Sequence, residues 1–85
     1  MLSDERDIIV AVRDYMKKEL LQSEVALDDD TPLIERGHLT SLQTVQLVMF
    51  LGEQFGIEIE PEEVNEEEFR SLQTIAALVK RKVAA

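Results

Sequence analysis

Apolar residues recur at spacings of three and four in three stretches of the chain, and each stretch predicts an amphipathic helix. We expect the first helix over about residues 4–22, the second over Ser41–Phe55, and the third from Ser71 onward. Pro61 suits the first turn of a short helix that reaches Val64. Residues 57–60 alternate as a strand would, but no second strand is evident, so an extended loop is expected there.

The apolar stripes of these helices define a predicted core. Its members are Ile8, Val12, Tyr15, Met16 and Leu20 in the first helix, Leu47, Val48, Leu51 and Phe55 in the second, and Leu72, Ile75, Ala76, Leu78, Val79 and Val83 in the last. Four more apolar residues lie in the connection over residues 23–40, namely Leu27, Leu33, Ile34 and Leu39. They predict a long loop between the first and second helices that packs onto the core. The whole pattern predicts an all-α fold, a small four-helix bundle with three main helices and one short helix, in a single domain over residues 1–85.

The second helix carries more apolar surface than one core needs. At about 100° per residue, Leu47 and Leu51 fall on one stripe. Leu42, Val45 and Met49 fall on a different side, and we call these three residues the outer stripe. Two interpretations stay open: the outer stripe is a docking surface for a partner protein, or the long loop covers it.

Ser41 lies at the start of the second helix, at the end of a polar turn. A serine in this position usually caps the helix, but Thr40 followed by Gln43 at the third helical position fits the capping-box pattern. Thr40 would then cap the helix and leave the Ser41 hydroxyl free beside the outer stripe. A free hydroxyl there indicates an attachment point more than a catalytic nucleophile.

Charge and length limit the classes of function. Nine basic residues against eighteen acidic ones give a net charge of −9, which repels nucleic acid and anionic membranes and favours partners with basic patches. A chain of 85 residues holds one modest core, so we do not expect a self-contained enzyme pocket. A hydrolase acting through Ser41 would need a base and an oxyanion hole, for which the sequence offers no candidates.

The sequence contains no cysteine, so disulfides and cysteine metal sites are excluded. The acidic start, Met1 to Glu5, is unlike a signal peptide. No apolar run is long enough to span a bilayer. We expect a cytoplasmic, free-standing protein and a monomer.

One run of residues has the pattern of a known family. Ser41 to Phe55, then Ile57-Glu58-Ile59 and Pro61-Glu62-Glu63, resemble the acyl carrier proteins. The resemblance extends over nearly the whole chain in helix order, loop length and acidic charge. Members of that family are four-helix bundles with a long first loop and a D-S-L motif at the second helix. The resemblance implies a carrier protein and not an enzyme.

The resemblance also implies a cofactor, a site and a set of partners. Ser41 would carry a 4′-phosphopantetheine arm taken from coenzyme A, and the thiol of that arm would hold acyl or aminoacyl cargo as a thioester. Leu42, Val45 and Met49 would contact partner enzymes, and Glu53 would belong to an acidic face. The implied partners are a phosphopantetheinyl transferase, a cargo-loading ligase or synthetase, and downstream transferases or synthases. Fatty acid, polyketide or nonribosomal peptide biosynthesis, or aminoacyl carriage, would be the pathway.

Two features depart from the family pattern. Thr40 stands where the family has aspartate, which removes a charge that the transferase could recognise. The family often has carboxylates at four further positions of the second helix, which here are Gln43, Gln46, Gly52 and Gln54. An alternative function therefore stays open: an unmodified interaction module with the carrier fold, which binds a protein through the outer stripe.

Phe50 bears on the size of the cargo. It lies at the edge of the core stripe, where many carriers of long chains have a smaller residue, and a ring in that place would take up interior volume. We therefore expect a short or polar cargo, such as an amino acid or a small acyl group.

Overall fold

A computed structural model describes residues 4–21 and 26–84 of the chain. Three α-helices account for most of it: α1 over Glu5–Tyr15, α2 over Ser41–Phe55 and α3 over Leu72–Ala84. A π-helical segment, Met16–Leu21, continues α1, and a 3-10 helix, Pro61–Glu63, follows α2. No β-strand occurs within these described residues, in agreement with the predicted all-α fold.

The short fourth helix of the predicted bundle is a single 3-10 turn over Pro61–Glu63. Pro61 provides its first residue, as expected. Val64 ends it, because its backbone dihedrals of −89° and 82° leave the helical region, and turns and bends follow up to α3. The fold therefore has three main helices and one short helical turn.

Local sequence explains where α1 begins. Asp4 caps the helix by accepting a hydrogen bond from the Arg6 backbone N–H at 3.2 Å, and acidic residues in the first turn suit the positive end of the helix dipole. The predicted single helix over residues 4–22 instead changes to π-helical pairing at Met16. A π-helix has about one residue more per turn than an α-helix. Over so short a segment, the spacing of apolar residues does not distinguish the two kinds of helix. Gln22, the predicted last residue, lies outside the described residues.

The core lies where the apolar stripes of α1, α2 and α3 meet. Most of the predicted members are buried: Ile8, Val12, Met16, Leu47, Leu51, Leu72, Ile75, Ala76, Leu78 and Val79. Others are partly buried against that core: Tyr15, Leu20, Val48 and Phe55. Val83 is the exception, since it is 38% exposed and lies in the last turn of α3, which is mostly solvent-accessible. Its predicted inward position is wrong.

The described part of the long loop, residues 26–40, packs onto the core as predicted. Leu27, Leu33 and Leu39 are buried, and Ile34 is partly buried. Arg13 of α1 holds the start of the loop, because it donates to the Leu27 carbonyl at 2.9 Å and to the Asp29 carboxylate at 2.6 Å. This packing brings the end of the loop to a defined position at the start of α2.

Candidate functional site

Thr40 caps the amino end of α2, as the sequence predicts. Its hydroxyl accepts a hydrogen bond from the Gln43 backbone N–H at 3.2 Å, and its own N–H donates to the Gln43 side-chain oxygen at 3.0 Å. Both halves of the capping box are therefore formed. The Gln43 amide also donates to the Leu20 carbonyl at 3.1 Å, which ties the cap to the π-helical segment.

Ser41 is the first residue of α2, and the cap leaves its side chain free. The residue is exposed, and the hydrogen bonds around it within the described residues join Thr40 to Gln43 and to Thr44 without using the Ser41 hydroxyl. Ser41 Oγ thus lies at the positive end of the α2 dipole, which carries about half an elementary charge. The hydroxyl is accessible from solvent.

The outer stripe is exposed along its whole length. Leu42 is 68% exposed, Val45 53% and Met49 61%. The core side of the same helix is closed, since Leu47 and Leu51 are fully buried. The interpretation that the loop covers the outer stripe is therefore wrong for the part of the loop that is described. The stripe is an apolar surface that begins one residue after Ser41.

A groove of about 420 Å³ opens beside Ser41. It lies between the start of α2, the end of the long loop and the segment before α3. Its apolar lining consists of Ile34, Leu39, Val45, Val64 and Phe69, and its polar lining of Thr40, Ser41, Thr44, Asn65 and Glu66. A group attached to Ser41 Oγ would have this surface directly beside it.

Glu53 and Phe50 lie farther along α2, at its edge with α1. The Phe50 ring stacks on Tyr15, with ring centroids 4.1 Å apart and planes 13° from parallel. The Tyr15 hydroxyl donates to the Gln46 carbonyl at 3.3 Å. Partial burial, and then the charges of Glu19 and Glu53, raise the pKa of the Tyr15 hydroxyl above its ordinary value.

Phe50 does not take up interior volume in the way that the sequence argument requires. Its side chain is only partly buried, because it lies on the rim against Tyr15 and not in the centre of the core. The prediction of a short or polar cargo therefore stays a prediction.

Sequence reasoning missed the groove and the aromatic stack. Val64 and Phe69 reach the groove because the chain after α2 folds back toward Ser41. Tyr15 and Phe50 lie on different helices and come together only in the folded chain. No local spacing encodes either approach. One sequence signal for a buried residue was available, because Phe69 is an aromatic residue that directly follows three glutamates. The structure buries Phe69 fully.

Comparison with known proteins identifies the family of this site. The family model described as “Phosphopantetheine attachment site” matches residues 10–80, a span that contains Ser41, the outer stripe and the groove. The chain belongs to this family. The “D-alanyl carrier protein” of Abiotrophia defectiva is 38% identical over 69 residues, which cover 80% of this chain and 87% of that protein. One chain of a solved structure described as “Crystal structure of FAD-dependent dehydrogenase” is 36% identical, with a TM-score of 0.75 over 80% of this chain and 97% of that chain.

Membership of the phosphopantetheine attachment family establishes the cofactor and the general role. The cofactor is a covalent 4′-phosphopantetheine, and the family consists of carrier proteins that are not themselves catalytic. Both predictions are thereby confirmed. Such carriers work with transferases and synthetases. Among residues 4–21 and 26–84, no helix is long and apolar enough to cross a membrane, and no cluster of potential ligands is placed to hold a metal ion.

Proposed function

We propose that Ser41 Oγ is the attachment atom of the 4′-phosphopantetheine arm, and that this chain presents thioester-bound cargo to partner enzymes. One observation carries the proposal: the exposed hydroxyl at the first residue of α2 is left free, since Thr40 serves as the cap. In the attachment step, Ser41 Oγ would bond to the pantetheine-side phosphorus of coenzyme A. Adenosine 3′,5′-bisphosphate would leave, and the hydroxyl proton would pass to a base of the transferase.

The residues around Ser41 suit a phosphodiester. The first N–H groups of a helix have no intrahelical acceptor, and together with the helix dipole they stabilise an anion at the amino end. Thr40 caps α2 without adding a charge, so no carboxylate directly precedes Ser41 to repel the phosphate. Val45, which is exposed, and Ile34, which is partly buried, offer the pantetheine chain an apolar surface in the adjacent groove.

Partner enzymes are proposed to dock on the outer stripe, with Glu53 at its far end. Glu53 is the only acidic residue in α2, so docking should depend more on apolar contact than on ion pairing. Loading rates should then respond weakly to salt. A rate that falls steeply with salt, and that drops only when Glu53 is removed, would contradict this. The partners in this scheme are the phosphopantetheinyl transferase, a cargo-loading ligase or synthetase, and downstream transferases or synthases.

An aminoacyl group is the proposed cargo. Its support is the 38% identical relative, whose name states that it carries D-alanyl. The solved structure that contains the other relative is described as an FAD-dependent dehydrogenase, so a flavoenzyme is one class of partner to test against the loaded protein.

Two loading assays, both with ATP, separate the cargo classes. One contains D-alanine and a D-alanine–carrier ligase, and the other contains octanoate and an acyl-carrier synthetase. A mass gain of one alanyl group alone supports the proposal, whereas a gain of octanoyl alone contradicts it.

Thr40 favours a second candidate function. If the modifying transferase requires the aspartate that the family has at this position, Ser41 stays unmodified. The protein would then act as an interaction module that binds a partner through the outer stripe, which is exposed with or without an arm.

The deciding experiment is the intact mass after incubation with coenzyme A and a broad-specificity phosphopantetheinyl transferase. A gain of one phosphopantetheine that is absent in Ser41→Ala supports attachment at Ser41. A gain that persists in Ser41→Ala places the arm elsewhere. A gain only in Thr40→Asp means that the recognition charge has been lost, and no gain in either protein favours the interaction module.

We also expect residues 1–85 to form one domain and the protein to act as a monomer in the cytoplasm, where coenzyme A is supplied. A single cooperative unfolding transition and a monomeric mass in solution would support the first two statements. Cell fractionation tests the third.

A further inference from the structure

One side chain joins the start of α2 to the π-helical segment that ends the first helical region. The Gln43 amide oxygen accepts from the Thr40 backbone N–H at 3.0 Å, which is half of the capping box. The amide nitrogen of the same side chain donates to the Leu20 carbonyl at 3.1 Å, 23 residues earlier in the chain. Leu20 is the last but one residue of the π-helical segment, and the final carbonyls of a helix generally lack a partner within it. Gln43 therefore caps two helical ends at once.

Hydrogen bonds, rather than core packing, hold the first turn of α2. Residues 40–46 are all exposed or only partly buried, and α2 first reaches the core at Leu47. The other hydrogen bonds of this turn are local. Within the described part of the chain, the bond to the Leu20 carbonyl is the one hydrogen bond that ties the turn to another element. Ser41 lies in this turn.

An amide is required for this bridge. Its oxygen accepts and its nitrogen donates, whereas a carboxylate only accepts and a thioether is at most a weak acceptor. Gln43→Glu therefore retains the capping box, in which glutamate serves as well as glutamine, but cannot donate to the Leu20 carbonyl. Gln43→Met has a similar length and loses both hydrogen bonds without adding a charge. The two variants separate the bridge from the cap.

We infer that Gln43 is a positioning residue for attachment of the arm at Ser41. The bridge to Leu20 fixes the first turn of α2 against the π-helical segment, and so holds the Ser41 hydroxyl in one place while the transferase acts. Helix ends fray when nothing holds them, and reaction rates fall when a nucleophile moves away from its attacking position. The inference rests on the proposed attachment at Ser41, and it adds a residue that acts without touching the reacting atoms.

The test compares kcat and KM for phosphopantetheine transfer from coenzyme A, with the full chain as the varied substrate. Gln43→Glu and Gln43→Met should each lower kcat by about fivefold, the factor that corresponds to one net hydrogen bond. KM should stay at the parent value, because the outer stripe is unchanged. Carbon-13 nuclear magnetic resonance gives a second readout. The Leu20 carbonyl resonance should move to lower frequency in both variants, since that carbonyl has lost a hydrogen-bond donor.

Gln54→Glu is the matched control for the charge that Gln43→Glu adds. Gln54 is exposed and lies about three turns farther along α2, on nearly the same side of the helix. This control should leave kcat, KM and the Leu20 resonance unchanged, and an equal fall in kcat would reduce the effect to added charge. Urea unfolding measures the folded fraction of each variant under the assay conditions. A fall in kcat that matches the loss of folded protein would reduce the effect to stability.

Three further results would overturn the inference. A parent-like kcat in Gln43→Glu, with a loss only in Gln43→Met, would assign the effect to the cap alone. A rise in KM at constant kcat would make Gln43 a docking contact. An unchanged Leu20 resonance would show that the bridge does not form in solution.

Failure of this role can be told apart from failure of attachment itself. A parent chain that gains no phosphopantetheine would refute the proposed function, and this role with it. Attachment at the same rate in the parent and in both Gln43 variants would refute this role alone.

Discussion

Replacing Met49 with glutamine should weaken recognition by the modifying transferase without weakening the fold. Met49 is 61% exposed in the free protein, so its side chain adds little to the core. Full burial of a methionine side chain contributes about 1.5–3 kcal/mol, so burial of the exposed part on docking contributes about 1–2 kcal/mol. The kcat/KM for phosphopantetheine transfer should then fall by about 5- to 30-fold.

The assay is the initial rate of mass gain at carrier concentrations below KM. Val10→Gln is the matched control, because Val10 is 43% exposed and lies on α1, outside the outer stripe. It should leave kcat/KM unchanged. Urea unfolding of both variants checks the fold, and each free energy of unfolding should stay within about 0.5 kcal/mol of the parent value.

Three results would refute this reasoning. An unchanged kcat/KM for Met49→Gln would show that the transferase does not bury this residue. Equal losses in Met49→Gln and Val10→Gln would mean that general surface hydrophobicity matters, and not the outer stripe. A large loss of stability in Met49→Gln would show that the side chain supports the core despite its exposure.

Three further predictions concern stability. Thr40→Ala removes the capping hydroxyl of α2 and should lower the free energy of unfolding by about 0.5–2 kcal/mol in urea titrations, whereas Thr40→Asp retains a cap and should change it little. Desolvation raises the pKa of Asp29, but hydrogen bonds from Arg13 and Arg6 outweigh it and leave the pKa below the ordinary value of 3.8. Because the folded-state pKa is lowered, the stabilisation exists above that ordinary value and is lost as pH falls through the folded-state pKa. Asp29→Asn should therefore be less stable than the parent at neutral pH, with a difference that shrinks in acid unfolding series. Gly56→Ala places a side chain at a φ of 64° and should cost about 1–2 kcal/mol, and a neutral effect in thermal melts would contradict that strain.

The sequence was sufficient to predict the helices whose buried residues recur at helical spacing. The spacing of Leu47 and Leu51 predicts the buried side of α2, and the structure buries both. The short fourth helix was predicted to within one residue, since Pro61 marks its start and the observed turn is Pro61–Glu63, where a helix reaching Val64 was expected. The π-helical segment after Tyr15 was missed, since apolar spacing reports a face and not the hydrogen-bonding pattern.

The local parts of the candidate site were also predictable. The capping box joins Thr40 to Gln43 three residues later, so its geometry is contained in the sequence, and it leaves Ser41 free. The groove and the aromatic stack depend on contacts between residues far apart in the chain. Tyr15 and Phe50, for example, belong to different helices and meet only in the folded chain. Such contacts require the fold to be known first.

The proposed attachment atom, Ser41 Oγ, and the proposed docking surface, the outer stripe, are coupled through the rotation of one helix. Burial of Leu47 and Leu51 fixes how α2 is turned about its axis. At about 100° per residue, that rotation directs Leu42, Val45 and Met49 away from the core. The cap at Thr40 fixes where α2 begins, and so places Ser41 at the anion-stabilising end of the same helix. A one-residue shift of the core stripe would turn the outer stripe toward the core. A one-residue shift of the cap would make Ser41 the cap residue. Core packing and capping together therefore determine the position of the proposed site.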